Sequence, residues 1–510
     1  MRKKELIILL IIFAAGTFLR FWRLDKIPTS LYCDEISFGY NAWSILKIGR
    51  DEFGQFLPLT FRAFDDWRPP LFIYSTVVSE AVFGVNDWAV RFPSAMAGTL
   101  LIIIFYFFVK DFSGKKIALF ATFLLAFNPT LVLISRTALD SNLALLFTIG
   151  FFWLFFKGTW VWGIVGMLAG FSYQASKIFL PLAGLALAWI YRRKKLLIYL
   201  ALLLVPILVS AKDGGLFRAE SISIFKNDDI LKTSVDRLAL PYSNLFANRR
   251  LLFFQEGILR YLDNYNPAFL FSANIQPSLY HLPNFGVFPF FEIILAILGV
   301  FVIFKKLDKR KKLFLLTWFL LAGLPAAPIA FAPQITRILP IVPVIILISS
   351  YGLEKVWSKY KLPVVIIYFF SISYMVWSLF VVLGTEKSRI RQAGYKEAVQ
   401  AAYKVHDTYD KVYVSNSLTF PYIYFLWYGH YDPALYISRG RTRAGTGLDP
   451  EDEFSNFVFR RFTPELFERS GHNLYIGQPG DFPPQIKPLS TIGCRENQAG
   501  ECIWFGESHP

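Results

Sequence analysis

The chain has 510 residues; 55% belong to the set Ala, Val, Ile, Leu, Met, Phe, Trp, Tyr and Cys, Phe alone contributes 53, and only 18% are charged. Ordinary globular chains carry roughly 25% charged residues, so the composition excludes intrinsic disorder, a fibrous repeat and a disulfide scaffold. The formal charge is +16, from 53 basic and 37 acidic residues. Many of the basic residues stand in short clusters between apolar runs, a pattern that marks membrane topology and not nucleic-acid binding.

The sequence predicts a polytopic α-helical membrane protein. Met1-Arg-Lys-Lys precedes an apolar run without a convincing small-residue cleavage site, so this run reads as a first anchor helix. Apolar spans follow from the hydropathy pattern at 6–22, 93–109, 117–134, 141–156, 159–175, 178–191, 196–211, 286–304, 313–332, 337–350 and 362–384. Segment 69–84 is apolar but short, and it carries Ser79 and Glu80.

Charge asymmetry decides its place. With about 11 spans and a cytoplasmic N-terminus, Arg2-Lys3-Lys4, Lys110 with Lys115-Lys116, Arg192-Arg193-Lys194-Lys195, the cluster 305–312, and Lys355 with Lys359 and Lys361 all fall on one side. Segment 69–84 is therefore expected to lie along the outer interface as a helix. Loops 23–92 and 212–285 and the tail 385–510 are then extracytoplasmic. The expected organisation is a transmembrane catalytic domain over 1–384 and a small C-terminal soluble α/β domain over 385–510. In that tail, helical spacing covers 395–406, and 411–415 and 473–477 read as strands. Cys494 and Cys502 lie close enough for a disulfide, which an outside domain permits, while Cys33 stands alone.

No P-loop, dinucleotide-binding glycine fingerprint, zinc cysteine cluster or nucleophile-elbow motif is present. Candidate chemistry rests instead on polar residues at the outer edges of the spans, where they are costly and usually need a reason. Asp34-Glu35 follows the first span and opens a helix over 37–48; acids there also simply offset a helix dipole. Asp65-Asp66-Trp67-Arg68-Pro69-Pro70-Leu71 places Asp66 and Arg68 before the interfacial segment. Arg91 precedes Pro93 at the start of a span. Arg136 and Asp140 stand four apart in one outer hairpin, the spacing of a local ion pair on a helix. Tyr173, Lys177, His281 and Arg337 are further edge residues. Carboxylates and several cations on one face suit activation of a hydroxyl and stabilisation of a phosphate leaving group. Apolar walls suit a lipid tail.

Four motifs occur in order: Asp34-Glu35 after the first span, Arg68-Pro-Pro-Leu71, Val90-Arg91-Phe92-Pro93-Ser94-Ala95, and Ser135-Arg136 with Asp140. Together they resemble the GT-C superfamily of membrane glycosyltransferases, and within it the protein-O-mannosyltransferase and aminoarabinose-transferase-like family (glycosyltransferase family 39 and its bacterial relatives). The resemblance covers the first ~200 residues best, by span order and motifs. It implies an inverting transfer of a sugar from a polyprenyl-phosphate carrier to a hydroxyl of protein, lipid or cell-envelope glycan, on the outer face of the cell membrane. It implies that Asp34 activates the acceptor, with Glu35 as companion and Asp140 as a second cavity acid. Arg91 matches a functionally important arginine, and Arg68 stands where relatives often carry Lys. Arg68, Arg91, Arg136, Lys177 and Arg337 are the expected donor-phosphate cations, and Asp66, Tyr173 and His281 line the cavity. Some relatives bind a metal, so a divalent ion stays open, but no metal ligand is assigned and no other cofactor is expected.

Two other classes fit the composition. A transporter or flippase of lipid-linked sugars usually places charge at the bilayer midplane and often shows inverted repeats. A non-catalytic anchor presenting the tail would not need acids in the first loop.

Overall fold

The computed structural model describes residues 3–64, 66–192, 197–212, 249–272, 279–328, 333–386, 391–438, 452–493 and 502–507, with 232. Asp65, most of loop 212–285 and Cys494 lie outside these, and so does the expected Cys494–Cys502 bond. The chain divides into two compact units. One comprises Met1–Trp22 and Ser94–Leu379; the other comprises Arg23–Pro93 and Phe380–Pro510. The boundary expected at 384/385 leaves the first loop with the spans, whereas here 23–93 groups with the tail.

The first unit is a helical bundle. Helix α1 (Lys3–Phe21) is followed, after Arg23–Pro93 of the other unit, by the body of α4 (Asp87–Ser113). Then come α5 (Lys115–Ala126), α6 (Pro129–Ser135), α7 (Asp140–Lys157), α8 (Trp162–Ser172), α9 (Ser176–Ile190) and α10 (Leu197–Lys212). Helices Glu292–Lys306, Lys309–Ala322, Ile341–Trp357 and Lys361–Trp377 complete it.

Among the described residues, three helices are long and apolar enough to cross a membrane unaided: Asp87–Ser113, Asp140–Lys157 and Lys361–Val382. The span expected at 117–134 is broken, because α5 and α6 meet at 60°. Pro129 at the start of α6 has no N–H to continue the α5 ladder. The Asn128 side chain instead accepts from the Leu131 N–H and donates to the Val287 carbonyl. Several other expected spans are helices of 11 to 16 residues, including α8, α9 and α10.

Aromatic rings fill the bundle core. Phe108, Phe152, Phe156, Phe314 and Trp318 interlock, with Phe152 and Trp318 centroids 4.6 Å apart. Helices Glu292–Lys306 and Ile341–Trp357 touch backbone to backbone at two glycines. A Cβ on Gly299 would lie 2.0 Å from the Ile348 carbonyl oxygen, and one on Gly352 would lie 2.0 Å from that of Leu295. This is the small-residue contact that lets membrane helices approach closely.

Basic side chains gather at one end of the bundle. Lys116 and Lys306 both pair with Glu354, at 2.9 and 2.7 Å, and Lys311 donates to the Phe112 carbonyl. Three of the basic clusters used to set the topology therefore share an end.

The second unit combines α2 (Cys33–Ile48), the hairpin β1 (Phe61–Ala63) and β2 (Asp66–Arg68), and α3 (Leu71–Phe83) with the tail. At 13 residues, α3 is about 20 Å long, short of a bilayer core. The tail carries a mixed sheet of β3 (Lys411–Ser415), β4 (Asp452–Phe454), β5 (Phe457–Arg460), β6 (Asn473–Gly477), β7 (Ser490–Ile492) and β8 (Ile503–Glu507), in the order β4-β5-β3-β6-β8-β7. Strand β3 runs parallel to β5 and β6; the other pairings are antiparallel. Both expected strands form, and the expected helix is Tyr395–Val405.

Candidate active site

Helix α2 begins at Cys33, earlier than the expected 37, so Asp34 and Glu35 sit in its first turn. Their negative charge offsets the unpaired N–H groups there. The two neighbours then part in role. The Glu35 carboxylate accepts the Tyr32 N–H at 3.0 Å and receives Arg91 Nε at 3.0 Å and Nη2 at 3.4 Å, with both side chains buried. Arg91 also donates from Nη1 to the carbonyls of Leu24 and Pro28, and from Nη2 to that of Ser30. A guanidinium has five N–H groups, and all five are taken by the protein.

In this geometry every Arg91 N–H is taken by the protein and the Glu35 carboxylate is enclosed, unlike the open phosphate ligand and companion acid that the resemblance implies. Arg91 and Glu35 fasten the segment 24–30 and the first turn of α2 to the start of α4.

Asp34 faces the other way. Its carboxylate keeps 30% of its side-chain exposure and meets Arg68 Nη2 at 2.5 Å. The hairpin delivers Arg68, because Phe61 pairs with Arg68 in its register, and the guanidinium lies over the Phe38 ring, 5.0 Å from its centroid. An Arg at this position thus stacks on the ring and pairs with the acid at once, which suits a planar guanidinium better than Lys. Asp66 accepts the Trp67 N–H at 2.8 Å, a local turn contact.

The tail steadies the same turn of α2. The Gln392 side-chain oxygen accepts the Cys33 N–H at 3.0 Å, and Tyr424 donates its hydroxyl to that oxygen and to the Leu31 carbonyl. Sequence reading missed Gln392 and Tyr424, because nothing in their local pattern marks a contact some 360 residues away in sequence. Burial, and then the Asp34 charge, push the Cys33 thiol well above its ordinary range, so it is a packing residue and not a nucleophile.

The remaining candidates belong to the helical unit. Arg136, Asp140, Tyr173, Lys177, His281 and Arg337 all lie at the end of the bundle opposite Lys116, Lys306 and Lys311, as helix connectivity requires. Arg136 is fully buried and donates to the Leu19 and Trp22 carbonyls, at 2.7 Å each, closing the end of α1. At least two of its N–H groups are thus turned to the chain itself and not to the donor phosphate expected from the sequence. Asp140 opens α7 and is 8% exposed. Lys177 donates to Gln174 at 2.6 Å and to Ser210, while Arg337 donates to Gln334. His281 packs edge-to-face on Phe269, and Tyr173 ends α8. Among the described residues, no group of three or more His, Cys, Asp or Glu side chains could hold a metal ion.

Residues 67–212 match the protein family described as dolichyl-phosphate-mannose-protein mannosyltransferase. Over 174 residues the chain is 28% identical to the putative mannosyltransferase YkcB of Bacillus subtilis (strain 168), covering 33% of this chain and 23% of that protein. It is 32% identical over 84 residues to the putative mannosyltransferase YycA of the same organism, covering 16% and 12%. The chain thus spans less than a quarter of the length of these curated relatives. The crystal structure of ArnT from Cupriavidus metallidurans bound to undecaprenyl phosphate aligns with a TM-score of 0.58 at 12% identity, covering 98% of both chains.

Proposed function

From the GT-C glycosyltransferase fold that this chain has, we propose that the protein transfers a sugar from a polyprenyl-phosphate carrier to a hydroxyl acceptor on the outer face of the membrane. The observation that carries the reading is the contrast within one helical turn. Glu35 is locked in a buried ion pair, while its neighbour Asp34 is half-exposed beside a single stacked guanidinium. A carboxylate placed so can take a proton from a substrate.

In the proposed reaction, an Asp34 oxygen accepts the acceptor O–H proton as that oxygen attacks the anomeric carbon. The bond from the anomeric carbon to the phosphate oxygen breaks, and its electron pair leaves on the lipid phosphate. That phosphate is already a good leaving group, so no general acid is needed and a single displacement inverts the anomeric centre. Arg68 is the proposed phosphate ligand of this unit, since its fork suits a phosphate oxygen pair. Movement of Arg68 from Asp34 to phosphate would leave the carboxylate free to act as base only when donor is present. Lys177 and Arg337 remain proposals for phosphate contact, and Asp140 a proposal for a second acid. No step is routed through a metal.

The ArnT structure was solved with undecaprenyl phosphate, which supports a lipid-phosphate donor here. Mass spectrometry of lipid-linked sugars after removal of the protein tests the reading. Accumulation of one polyprenyl-phosphate sugar, with loss of the matching sugar from an envelope product, is expected. An unchanged lipid and glycan profile would contradict it.

A further inference from the structure

A cavity open on one side lies within the loop-and-tail unit, at the N-terminal end of α4. It offers about 680 Å³, inside the 300–1,000 Å³ typical of small-molecule sites. Asp87 stands in its wall. Lys396 donates to Asp87 Oδ2 at 2.7 Å, Trp427 Nε1 to Oδ1 at 3.2 Å, and the Tyr428 hydroxyl to Oδ2 at 3.5 Å. The Lys396 ammonium also sits 4.9 Å from the Tyr428 ring centroid. Asp87 is thus neutralised and fixed, and it holds two aromatic side chains and a lysine in the wall. Trp88 adds a third large ring, and Gln400 places an exposed amide on the rim, while the Asn86 amide is taken by the Phe83 and Gly84 carbonyls and the Ala89 N–H.

The lining chemistry selects among ligands. Charged Asp25, Lys26, Asp87 and Lys396 in the wall make it unsuitable for a lipid tail. Two acids against two lysines give no net field for a polyanion. The Gln400 amide, which both donates and accepts, matches hydroxyl groups, which do the same. The half-buried Trp88 ring beside it matches the apolar C–H face of a pyranose; Trp427 is buried and Lys396 covers Tyr428. None of these residues takes part in the Asp34–Arg68 or Glu35–Arg91 pairs.

We propose that this cavity binds a saccharide chain of the acceptor, apart from the reacting hydroxyl. The proposal rests on the glycosyltransferase reading for the word acceptor, but saccharide binding itself does not. Remote binding of this kind holds the acceptor where its hydroxyl can react and raises specificity without touching the reacting atoms.

The test uses the full-length protein in detergent and measures intrinsic tryptophan fluorescence against soluble oligosaccharides of mannose, glucose and N-acetylglucosamine. Saturable binding of at least one is expected, weakened tenfold or more by Trp88→Ala and threefold or more by Gln400→Ala. Since Trp88 also packs on Phe83 and Phe92, Gln400→Ala, on an exposed side chain, guards against a folding defect. Asp34→Asn should bind the same saccharide with unchanged affinity. If that variant also transfers sugar normally, the catalytic reading fails while this one stands. No binding by any of the three sugars at 10 mM (roughly the weakest useful affinity), binding indifferent to both substitutions, or binding of unglycosylated peptide in their place would overturn the proposal.

Discussion

Arg91→Leu separates an anchoring arginine from a phosphate-binding one. The substitution removes five hydrogen bonds and deprives the buried Glu35 carboxylate of its guanidinium partner. Breaking a buried pair by removing one partner costs about 3–5 kcal/mol. For a unit of roughly 200 residues, 1 kcal/mol moves Tm by about 2–4 °C, so a fall of about 6–20 °C is expected. Glu35→Leu in the Arg91→Leu background should recover a good part of this, because a buried pair replaced by apolar side chains is often close to neutral. The assay is thermal unfolding of purified protein in detergent, read alongside binding of a polyprenyl-phosphate donor. An Arg91→Leu protein with parental Tm but much weaker donor binding would refute the anchoring argument and return Arg91 to the phosphate.

Arg68→Ala should weaken donor binding by about 1.5–3 kcal/mol, on the order of tenfold to a hundredfold, with Tm little changed; unaltered affinity by equilibrium binding would remove Arg68 from the phosphate site. Gly299→Val should force apart the helices Glu292–Lys306 and Ile341–Trp357, since a Cβ there meets the Ile348 carbonyl at 2.0 Å; a loss of about 1–3 kcal/mol or more is expected, and a parental melting curve would contradict the close contact. His472 is raised above its ordinary range by the Thr408 carbonyl and then by Glu507. Its contribution is therefore present below pH about 6.5 and fades as pH rises through the raised value. His472→Gln should lower Tm slightly at pH 6 and not at pH 9, and the effect stays small because the group is exposed.

Much of the fold was legible because it rests on strong local signals. The short apolar runs within Lys411–Ser415 and Asn473–Gly477, bounded by turn residues, yield buried strands in the tail. The motifs from Asp34 to Asp140 pointed to the GT-C resemblance; the chain has the fold of ArnT and matches the dolichyl-phosphate-mannose-protein mannosyltransferase model over 67–212. The break between α5 and α6 was less legible, since hydropathy runs smoothly through it and only Asn128-Pro129 signals the change. The grouping of the first loop with the tail was not legible at all. It depends on long-range contacts such as Gln392 to Cys33 and Lys396 to Asp87, which no periodicity encodes. For the same reason Asp34 and Glu35 look equivalent in sequence. Their difference comes from the turn of α2, which sends one toward the Arg91 fork and the other toward Arg68. Arg91 and Arg136 are read from sequence as ligands because a charge near a membrane edge invites that reading; their bonds to backbone carbonyls at and after the end of α1 are not legible there.

The measurement that bears most directly on the proposed chemistry is single-turnover transfer by purified Asp34→Asn, with the anomeric configuration of the parental product determined by NMR. The substitution keeps size and hydrogen bonding but removes the base. A fall in rate of roughly 100-fold or more, with donor binding and Tm nearly intact and an inverted product from the parent, is the predicted result. Transfer by Asp34→Asn at the parental rate, or a product that keeps the donor's configuration, would contradict the account.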